Sequence, residues 1–304
     1  MDENDKQNIS FQIKKGETSK EIGKKLEEKN IIKSANSFYI HTKINQLGES
    51  ILAGRFVLNR SMTVPEIIQT ISDPAQAEFV ITIQEGLTVK DIDAKLVNLG
   101  LTNKGEFIEA IKNFKDWQLY SFLDQETLSK LSIPLEGYIY PDTYFLDPEN
   151  FDPNELIYKA LDNFEQKFSP HQEKIKKHSY NEIVTMASII ENEVFGEEDR
   201  KKVSGIFWKR LENNWAIGAD ATLLYISDDR KITAEDLNID SPYNTRKNLG
   251  LPPGPISNPS IESIEAAMYP EESEYWFYLT TLDTGKVIYS KSNEEHNANR
   301  AKYL

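Results

Sequence analysis

Two segments in the first half of the chain, residues 11–26 and 81–96, repeat one pattern. Each begins with alternating apolar residues, passes through a glycine, and reaches a threonine that precedes an amphipathic stretch. The alternation predicts a strand. Thr18 and Thr88 are predicted helix N-caps, because a threonine hydroxyl accepts a hydrogen bond from the unpaired N–H groups of a first turn. The acid three residues after each threonine matches a capping box, so we predict two copies of one strand–turn–helix unit.

Each copy continues into a second short helix. Asn30 and Gly100 stand at equivalent places after the first helices, and residues that tolerate left-handed backbone angles commonly end a helix. Second helices are predicted near residues 34–45 and 103–114. The resulting β-α-α unit resembles the LysM carbohydrate-binding module in pattern and order, without a signature motif. The alternative is a pair of packing repeats that bind nothing.

Composition excludes several kinds of site. The net charge of −14 argues against a nucleic-acid binder and against docking on anionic lipid, since both need a basic surface. The chain has no cysteine, which removes disulfides, thiolate catalysis and cysteine-ligated metals. The four histidines have no metal-binding spacing, so we expect neither a metal nor an organic cofactor.

No segment of the sequence is predicted to cross a membrane. A spanning helix needs roughly 18 or more apolar residues in a row, and no such run is present. The start of the chain is polar and does not resemble a signal peptide. The sequence is therefore expected to be a cytosolic protein or a soluble part of a longer one.

The second half of the chain is predicted to be rich in helices. Residues 115–150 combine aromatic residues, glycine and proline, which indicates an ordered loop with short strands. The expected elements after it are a helix over 153–168 that Pro170 breaks, a buried helix from Ser179, helices over 198–213, 233–237 and 258–268, a β-hairpin over 275–290 and a terminal helix from Ser292. The predicted fold class is α+β: LysM-like βαα repeats followed by a mixed, helix-rich domain with a C-terminal β-hairpin.

Glu191 is the most informative single residue. It lies near the end of a helix whose apolar residues occupy nearly every face, which is typical of a buried helix. On a helical wheel Glu191 stands beside the apolar stripe, and Glu193 projects from the other flank. Burial disfavours a charged carboxyl, so we expect Glu191 to hold a proton and act as a general acid. The alternative is a partly exposed glutamate at a helix end.

A long irregular segment, residues 240–259, is the second candidate feature. Such a loop is uncommon inside a compact domain unless it is functional, and its prolines lower the entropic cost of ordering it. Tyr243, Asn244 and Thr245 offer an aromatic face together with hydrogen-bonding groups, a combination that suits a sugar. The alternatives are a polyproline recognition segment and a rigid structural loop.

Several motifs occur in one order along the chain. They are LEGYIYPDTY (135–144), ASIIENE (187–193), GADATLLY (218–225), SPYNT (241–245), GLPPGPISNP (250–259) and EHN (295–297). Together they resemble the endolytic murein transglycosylase family, also called YceG-like. The resemblance covers almost the whole chain from about residue 10, and the motifs are specific as a set although each alone is weak.

The resemblance implies an activity. Members of this family cleave the β-1,4 bond between N-acetylmuramic acid and N-acetylglucosamine without water and leave 1,6-anhydro ends, which would terminate elongation of a nascent strand. One carboxyl acts first as acid and then as base, whereas ordinary glycosidases use two. Glu191 matches the catalytic glutamate, and the expected substrate-binding residues are Glu136, Ser188, Asp220, Thr222, Tyr243, Asn244 and Thr245.

The resemblance leaves the roles of some residues open. The family has SDPT where this chain has residues 219–222 as ADAT, so any role of the missing serine hydroxyl is in doubt. The roles of Glu193 and His296 are open, and His296 could merely anchor the last helix.

The family normally carries one N-terminal membrane-spanning helix, so we expect an extracytoplasmic protein anchored by a helix outside this sequence. Its expected partners are peptidoglycan glycan strands and cell-wall synthases, with no nucleic acid. The expected domains are a LysM-like domain (1–76), a second repeat with a connecting segment (77–150) and a catalytic domain (151–304).

Three other functions compete with this interpretation. A two-carboxylate glycoside hydrolase would pair Glu191 with Asp220 or Glu193. A non-catalytic scaffold would bind peptidoglycan without cutting it. A cytosolic protein with a peptide-binding proline-rich loop would be preferred only if the natural chain begins at Met1.

Overall fold

The computed structural model of the chain divides into two compact units. It describes residues 7, 9–14, 16–48, 50–76, 79–146, 151–172, 177–227, 232–281 and 283–304. The first unit comprises Met1–Thr82 with Thr143–Asp152, and the second comprises Ile83–Asp142 with Pro153–Leu304. In the described ranges, no helix has the length and apolar character needed to cross a membrane.

The first unit combines two small antiparallel sheets with three described helices. Its elements are β1 (Ile9–Ile13), α1 (Ser19–Glu28), α2 (Ala35–Ile44), β2 (Gly54–Leu58), α3 (Val64–Ser72), β3 (Phe79–Thr82) and β4 (Thr143–Leu146). Strand β1 pairs with β2, and β3 pairs with β4. A short 3-10 turn follows α3.

Alternation along the strands builds the core of the first unit. Successive side chains of a strand point to opposite faces, so every second residue can be buried. Phe11 lies directly opposite Phe56 in the β1–β2 pair, and both are fully buried. Val57, the next residue of β2, points outward and is 42% exposed. Phe38 of α2 joins the two phenylalanines in one apolar cluster.

The second unit is mostly helical and ends in a hairpin and a helix. Its elements are α4 (Val89–Asn98), α5 (Glu106–Lys112), α6 (Gln125–Leu128), α7 (Pro153–Gln172), α8 (Tyr180–Glu193), α9 (Glu197–Glu212), α10 (Asp220–Ile226), α11 (Ile261–Met268), β5 (Phe277–Thr280), β6 (Val287–Ser290) and α12 (Asn293–Tyr303). Helix α8 is central, since it packs against α9, α10 and α11. The described structure is thus the mixed α+β, helix-rich fold with small antiparallel sheets and a C-terminal hairpin that the sequence predicts.

The helices of the sequence repeat form as predicted. Thr18 and Thr88 each complete a capping box, and they precede α1 and α4. Asn30 and Gly100, which follow these helices, have left-handed φ angles of 56° and 73°. The second helices of the two copies are α2 and α5.

Two predicted helix boundaries are wrong, and the helix predicted over 233–237 is a short 3-10 turn over Asp236–Asn238. Helix α7 does not stop before Pro170 but continues to Gln172. Pro170 lies in the last turn, and the helix ends two residues after it. Helix α11 begins at Ile261 and not at residue 258. Asn258 is used elsewhere, because its N–H donates to the Leu87 carbonyl at 2.9 Å and its Oδ1 accepts from the Ile139 N–H at 2.9 Å.

Candidate active site

Helix α8 supplies both carboxylates of the candidate site. Ser179 caps its first turn in a capping box with Glu182, and the helix is buried from Ile183 to Glu191. It ends where Val194 adopts an extended backbone, so Glu191 and Glu193 occupy the last turn. A carboxylate in the last turn faces the negative end of the helix dipole, so each needs other partners.

Glu191 is buried against a cation. As the sequence predicts, it faces protein and is only 8% exposed. Arg200 of α9 donates to its Oε1 at 2.8 Å. The backbone N–H of Ser260 donates to its Oε2 at 2.8 Å, and the Ser260 hydroxyl donates to the same oxygen. These three donor groups tie α8 to α9 and to the start of α11.

Glu193 has a different environment two residues later. Its side chain is partly exposed, its Oε2 accepts from the Tyr278 hydroxyl at 2.6 Å, and its Oε1 accepts from the Ala221 N–H at 3.2 Å. Burial raises the pKa of Glu193, the negative charge of Asp220 acts in the same direction, and the two hydrogen bonds oppose the shift. The protonated form of Glu193 therefore persists to a higher pH than that of an ordinary glutamate.

A cavity of about 950 Å³ opens beside Glu193. Its charged or titratable lining residues are Glu193, Asp220, Arg210, Arg246, His296 and Arg300. Its aromatic lining residues are Trp215, Phe277 and Tyr278. Glu191 does not line this cavity. The volume is in the range of pockets that hold small ligands, and the lining brings one protonatable carboxyl to the edge of a space that can admit a sugar.

Asp220 stands at the cavity on the first turn of α10. Its Oδ1 accepts from the Arg246 Nε at 3.0 Å. Hydrogen bonds of Thr222 and Thr245 fix this turn. Their hydroxyls lie 2.9 Å apart, and the Thr245 hydroxyl accepts from the Ala219 N–H at 3.2 Å. Both threonines are buried, so they fix the Asp220 turn to the loop that carries Arg246.

Asn244 and Tyr243 shape the same loop. Asn244 is fully buried, and its Nδ2 donates to the carbonyls of Leu237 and Ile239 at 3.2 and 3.0 Å. Its Oδ1 accepts from the Arg246 N–H at 3.1 Å. The Tyr243 ring is partly exposed and packs against Tyr225 with centroids 5.1 Å apart. Asn244 is thus an internal brace that sets the position of Arg246.

Ser188 and Glu136 lie deeper in the second unit. The Ser188 hydroxyl donates to the Thr185 carbonyl at 2.7 Å and accepts from the Ile256 N–H at 3.0 Å, which joins α8 to the proline-rich loop. Glu136 is 1% exposed and accepts from the Val89 N–H at 3.0 Å. Burial raises the pKa of Glu136 to about 8.

The structure therefore divides the residues that the sequence predicted as substrate-binding. Asp220 reaches the cavity, and Tyr243 is partly exposed. Five others are buried, so in this structure they hold the surrounding loops: Glu136, Ser188, Thr222, Asn244 and Thr245. Direct contact between these five and a substrate stays a prediction.

Arg210 is a site residue that sequence reasoning missed. Its Nε and Nη2 donate to the Trp276 carbonyl at 3.1 and 2.6 Å, and its Nη1 donates to the carbonyl of Ile217. It thereby joins α9 to the start of β5 and to the segment before Asp220. A signal was available, because Arg210 follows the buried residues Val203 and Phe207 at helical spacing and so places a charge on an apolar stripe.

Trp215 and His296 complete the aromatic wall of the cavity. The sequence did not predict that either residue lines it. Trp215 is 43% exposed and meets Trp276 and Phe277 with centroids 5.1 and 5.5 Å away. His296 of α12 stacks on Phe277 at 5.2 Å. Burial lowers the pKa of His296, and the charges of Arg300 and Arg210 act in the same direction, so the ring is neutral near pH 7.

No metal site is evident in the part of the chain that the structure describes, since it contains no group of three or more histidine, aspartate or glutamate side chains able to hold an ion. The side chains at the cavity supply a carboxyl with a raised pKa, a carboxylate–guanidinium pair and an aromatic wall.

Comparison with known proteins gives a consistent result. The model of the YceG-like family matches residues 11–302. The endolytic murein transglycosylase of Bacillus subtilis is 31% identical over 316 residues, which cover 100% of this chain and 87% of that protein. That of Streptococcus pneumoniae D39 is 29% identical over 338 residues, and this chain spans 60% of its length. A 2.6 Å crystal structure of a YceG-like protein from Listeria monocytogenes matches with a TM-score of 0.68 and 31% identity, over 96% of this chain and 99% of that one.

Proposed function

The chain belongs to the YceG-like family, and from that membership we propose that it is an endolytic murein transglycosylase, a lyase that cuts the glycan strands of peptidoglycan. The bond cut is the β-1,4 bond between N-acetylmuramic acid and N-acetylglucosamine, and the product is a 1,6-anhydro end. Cleavage within a nascent strand would terminate its elongation.

The reaction needs one group that gives a proton and then takes one. The acid protonates the glycosidic oxygen as the bond to C1 breaks through an oxocarbenium-like state. The resulting carboxylate takes the proton from the C6 hydroxyl of the muramoyl residue, whose oxygen then bonds to C1. No water is consumed, and the acid is regenerated. A general acid–base group of this kind typically contributes about 10²- to 10⁴-fold to a rate.

We infer from the cavity that Glu193 can fill this role. The catalytic role of Glu191, which the family resemblance implies, stays a prediction that the variants below decide. The observation that carries the assignment is that Glu193 lines the cavity and has a raised pKa, whereas Glu191 lies outside the lining and accepts from Arg200 and Ser260. A proton donor needs access to the substrate oxygen, which the cavity gives to Glu193. In this proposal, Glu191 positions α8 by holding α9 and the start of α11.

The partners of Glu193 suit both halves of the reaction. While the carboxyl is protonated, the Tyr278 hydroxyl and the Ala221 N–H fix its orientation. Once the proton has left, the same two donors stabilise the carboxylate until it acts as base. Asp220 is already paired with Arg246, which favours a role in holding substrate over attack on C1.

The finer features of the family's layout are also proposals. The LysM-like region (1–76) and the second repeat (77–150) would hold glycan, and the catalytic domain would be residues 151–304. The protein would act outside the cytoplasm, anchored by a membrane helix beyond this sequence, alongside cell-wall synthases. The capped helices of the repeat support the first point, because they give both copies the same sequence of elements.

Two matched variants test the assignment, namely Glu193→Gln and Glu191→Gln, assayed on purified glycan strands with product masses read by mass spectrometry. We expect Glu193→Gln to lower the rate of anhydro-end formation by about 10²- to 10⁴-fold with the fold intact. The Glu191→Gln variant should keep most of the wild-type rate, because in this proposal Glu191 positions helix α8 and does not donate the proton. The exposed Glu126→Gln serves as a control that should behave as the wild-type protein.

The opposite result would restore the sequence prediction. If Glu191→Gln is inactive with an unchanged circular dichroism spectrum while Glu193→Gln turns over, Glu191 is the acid. Products with added water at new reducing ends would indicate the two-carboxylate hydrolase. Sedimentation with peptidoglycan but no new fragments would indicate the non-catalytic scaffold.

A further inference from the structure

The side chains that line the cavity beside Glu193 include three arginines and two carboxylates, although the whole chain carries −14. The carboxylates are those of Glu193 and Asp220. A concentration of arginines in an acidic protein suits an anion, since positive potential focused in a cleft raises the local concentration of negatively charged ligands.

Two of the three arginines already have partners. Arg246 donates to Asp220, and Arg210 donates to the backbone carbonyls of Ile217 and Trp276. Arg210 is largely buried, and burial lowers its pKa, as expected for a cation committed to holding the structure together. The charge of Arg246 is therefore paired, and the N–H groups of Arg210 are committed to backbone carbonyls.

Arg300 is the exception. It lies on α12, is exposed and lines the cavity. Among the residues that the structure describes, no carboxylate forms an ion pair with it and no side-chain hydrogen bond is made by its guanidinium. Its neighbour one helical turn earlier, His296, is neutral near pH 7 and so adds no competing charge. An arginine fork of this kind matches a carboxylate in geometry.

The substrate carries groups of that chemistry. In a glycan strand, the lactoyl group of each muramoyl residue bears a peptide stem with side-chain and terminal carboxylates, while the sugar rings themselves are neutral. The aromatic wall formed by Trp215 and Phe277 next to Arg300 offers apolar faces for a sugar ring, so a ring on this wall would present its stem towards α12.

We propose that Arg300 binds a carboxylate of the peptide stem and makes the enzyme prefer strands whose stems are acidic. This inference rests on the proposed transglycosylase function and adds a specificity determinant to it. Arg300 does not take part in bond cleavage. Its contribution is uniform binding, which appears in KM and leaves kcat unchanged.

The test uses two preparations of glycan strands of equal length, one with free stem carboxylates and one with those carboxylates converted to carboxamides. We expect the wild-type protein to have a kcat/KM roughly fivefold higher on the acidic strands, which is the size of an exposed ion pair. Arg300→Gln should lose this preference through a higher KM on acidic strands alone. Arg300→Lys should keep part of it.

The control is Lys302→Gln, which removes a positive charge from the same helix at a position that does not line the cavity. It should keep the wild-type preference. Equal rates of the wild-type protein on both strands, or an equal loss on both strands in Arg300→Gln, would overturn the inference. Absence of anhydro ends from either strand with the wild-type protein would instead refute the proposed function.

Discussion

The two compact units differ in what they bury. In the described part of the first unit, Thr42 and Tyr144 are the buried residues with a polar group, and the rest of the interior is aliphatic or phenylalanine. The second unit buries carboxylates, amides and hydroxyls, including Glu136, Glu191 and Asn244. Burying a polar group costs free energy unless partners compensate for it. The interior of the second unit therefore depends on hydrogen-bond and ion-pair partners, and that of the first unit depends on them far less.

This difference predicts different responses to pH and to substitution. An apolar interior depends on packing, which does not change with protonation. An interior with titratable groups depends on their charge state. All four tryptophans, at positions 117, 208, 215 and 276, lie in the second unit, so tryptophan fluorescence reports that unit while far-ultraviolet circular dichroism reports both.

The largest expected effect is in the first unit. Phe56→Ala removes a fully buried ring from the β1–β2 pair, and such cavities lower the free energy of unfolding by about 3–5 kcal/mol. We expect the same loss at pH 5 and pH 9 in urea unfolding followed by circular dichroism. Val57→Ala, on the exposed face of the same strand, should cost less than about 1 kcal/mol. If the free energy of unfolding that Phe56→Ala removes varies with pH, the expected difference between the two units is contradicted.

A slightly smaller effect is expected at the buried ion pair. Arg200→Gln leaves Glu191 without its cation, and breaking such a pair lowers the free energy of unfolding by about 3 kcal/mol. The double variant with Glu191→Gln should recover part of this loss, as measured by urea unfolding with tryptophan fluorescence. Lys201→Gln, which removes the exposed partner of Glu197, is the control and should cost less than about 1 kcal/mol. Additive losses in the double variant would show that the two side chains are not coupled.

Glu136 is expected to make the stability of the second unit depend on pH. Burial raises its pKa to about 8 from the ordinary value of 4.5, so the folded chain favours the protonated form. The resulting stability is complete below pH 4.5 and is lost as the pH rises through about 8. Glu136→Gln cannot ionise, so it should gain stability relative to the wild-type protein as the pH rises from 5 to 9, by on the order of 4 kcal/mol.

Tryptophan fluorescence during urea unfolding at a series of pH values measures this difference. Glu126→Gln is the control, because the Glu126 side chain is 88% exposed, and it should show no such trend. A difference between Glu136→Gln and the wild-type protein that stays constant from pH 5 to pH 9 would show that Glu136 is charged throughout.

The smallest expected effect concerns Glu193, the proposed acid. Tyr278→Phe keeps the ring and removes the hydroxyl that donates to Glu193 at 2.6 Å. That hydrogen bond favours the charged carboxyl, so its loss should raise the pKa of Glu193 further and move the alkaline limb of the activity profile to higher pH. We expect kcat at the optimum pH to fall about 10-fold. Loss of the hydrogen bond that positions Glu193 should raise the activation free energy by about 1.4 kcal/mol.

The matched control is Tyr289→Phe on the neighbouring strand. Tyr289 donates to Asp199 at 2.6 Å and does not line the cavity. Its pH profile should match that of the wild-type protein. An alkaline limb that stays in place in Tyr278→Phe would show that Glu193 does not control the profile.

Local structure was largely predictable. Thr18, Thr88 and Ser179 cap their helices as expected, because a capping box depends on residues three positions apart. The hairpin β5–β6 also forms within its predicted range, with Gly285 at a φ of 67° in the turn. The predicted stop before Pro170 is wrong, because the helix runs two residues past the proline to Gln172.

The sequence alone determined that α8 is buried and that its last turn carries two carboxylates, because helical periodicity and capping act within a few residues. It also correctly placed Glu191 against protein. Tertiary contacts decided which carboxylate lies against a cation and which lies at the cavity. The contacts are those of Arg200 and Ser260 with Glu191, and that of Tyr278 with Glu193. Burial alone does not fix a carboxyl's protonation. Its state depends on the charges and donors that tertiary packing brings to it.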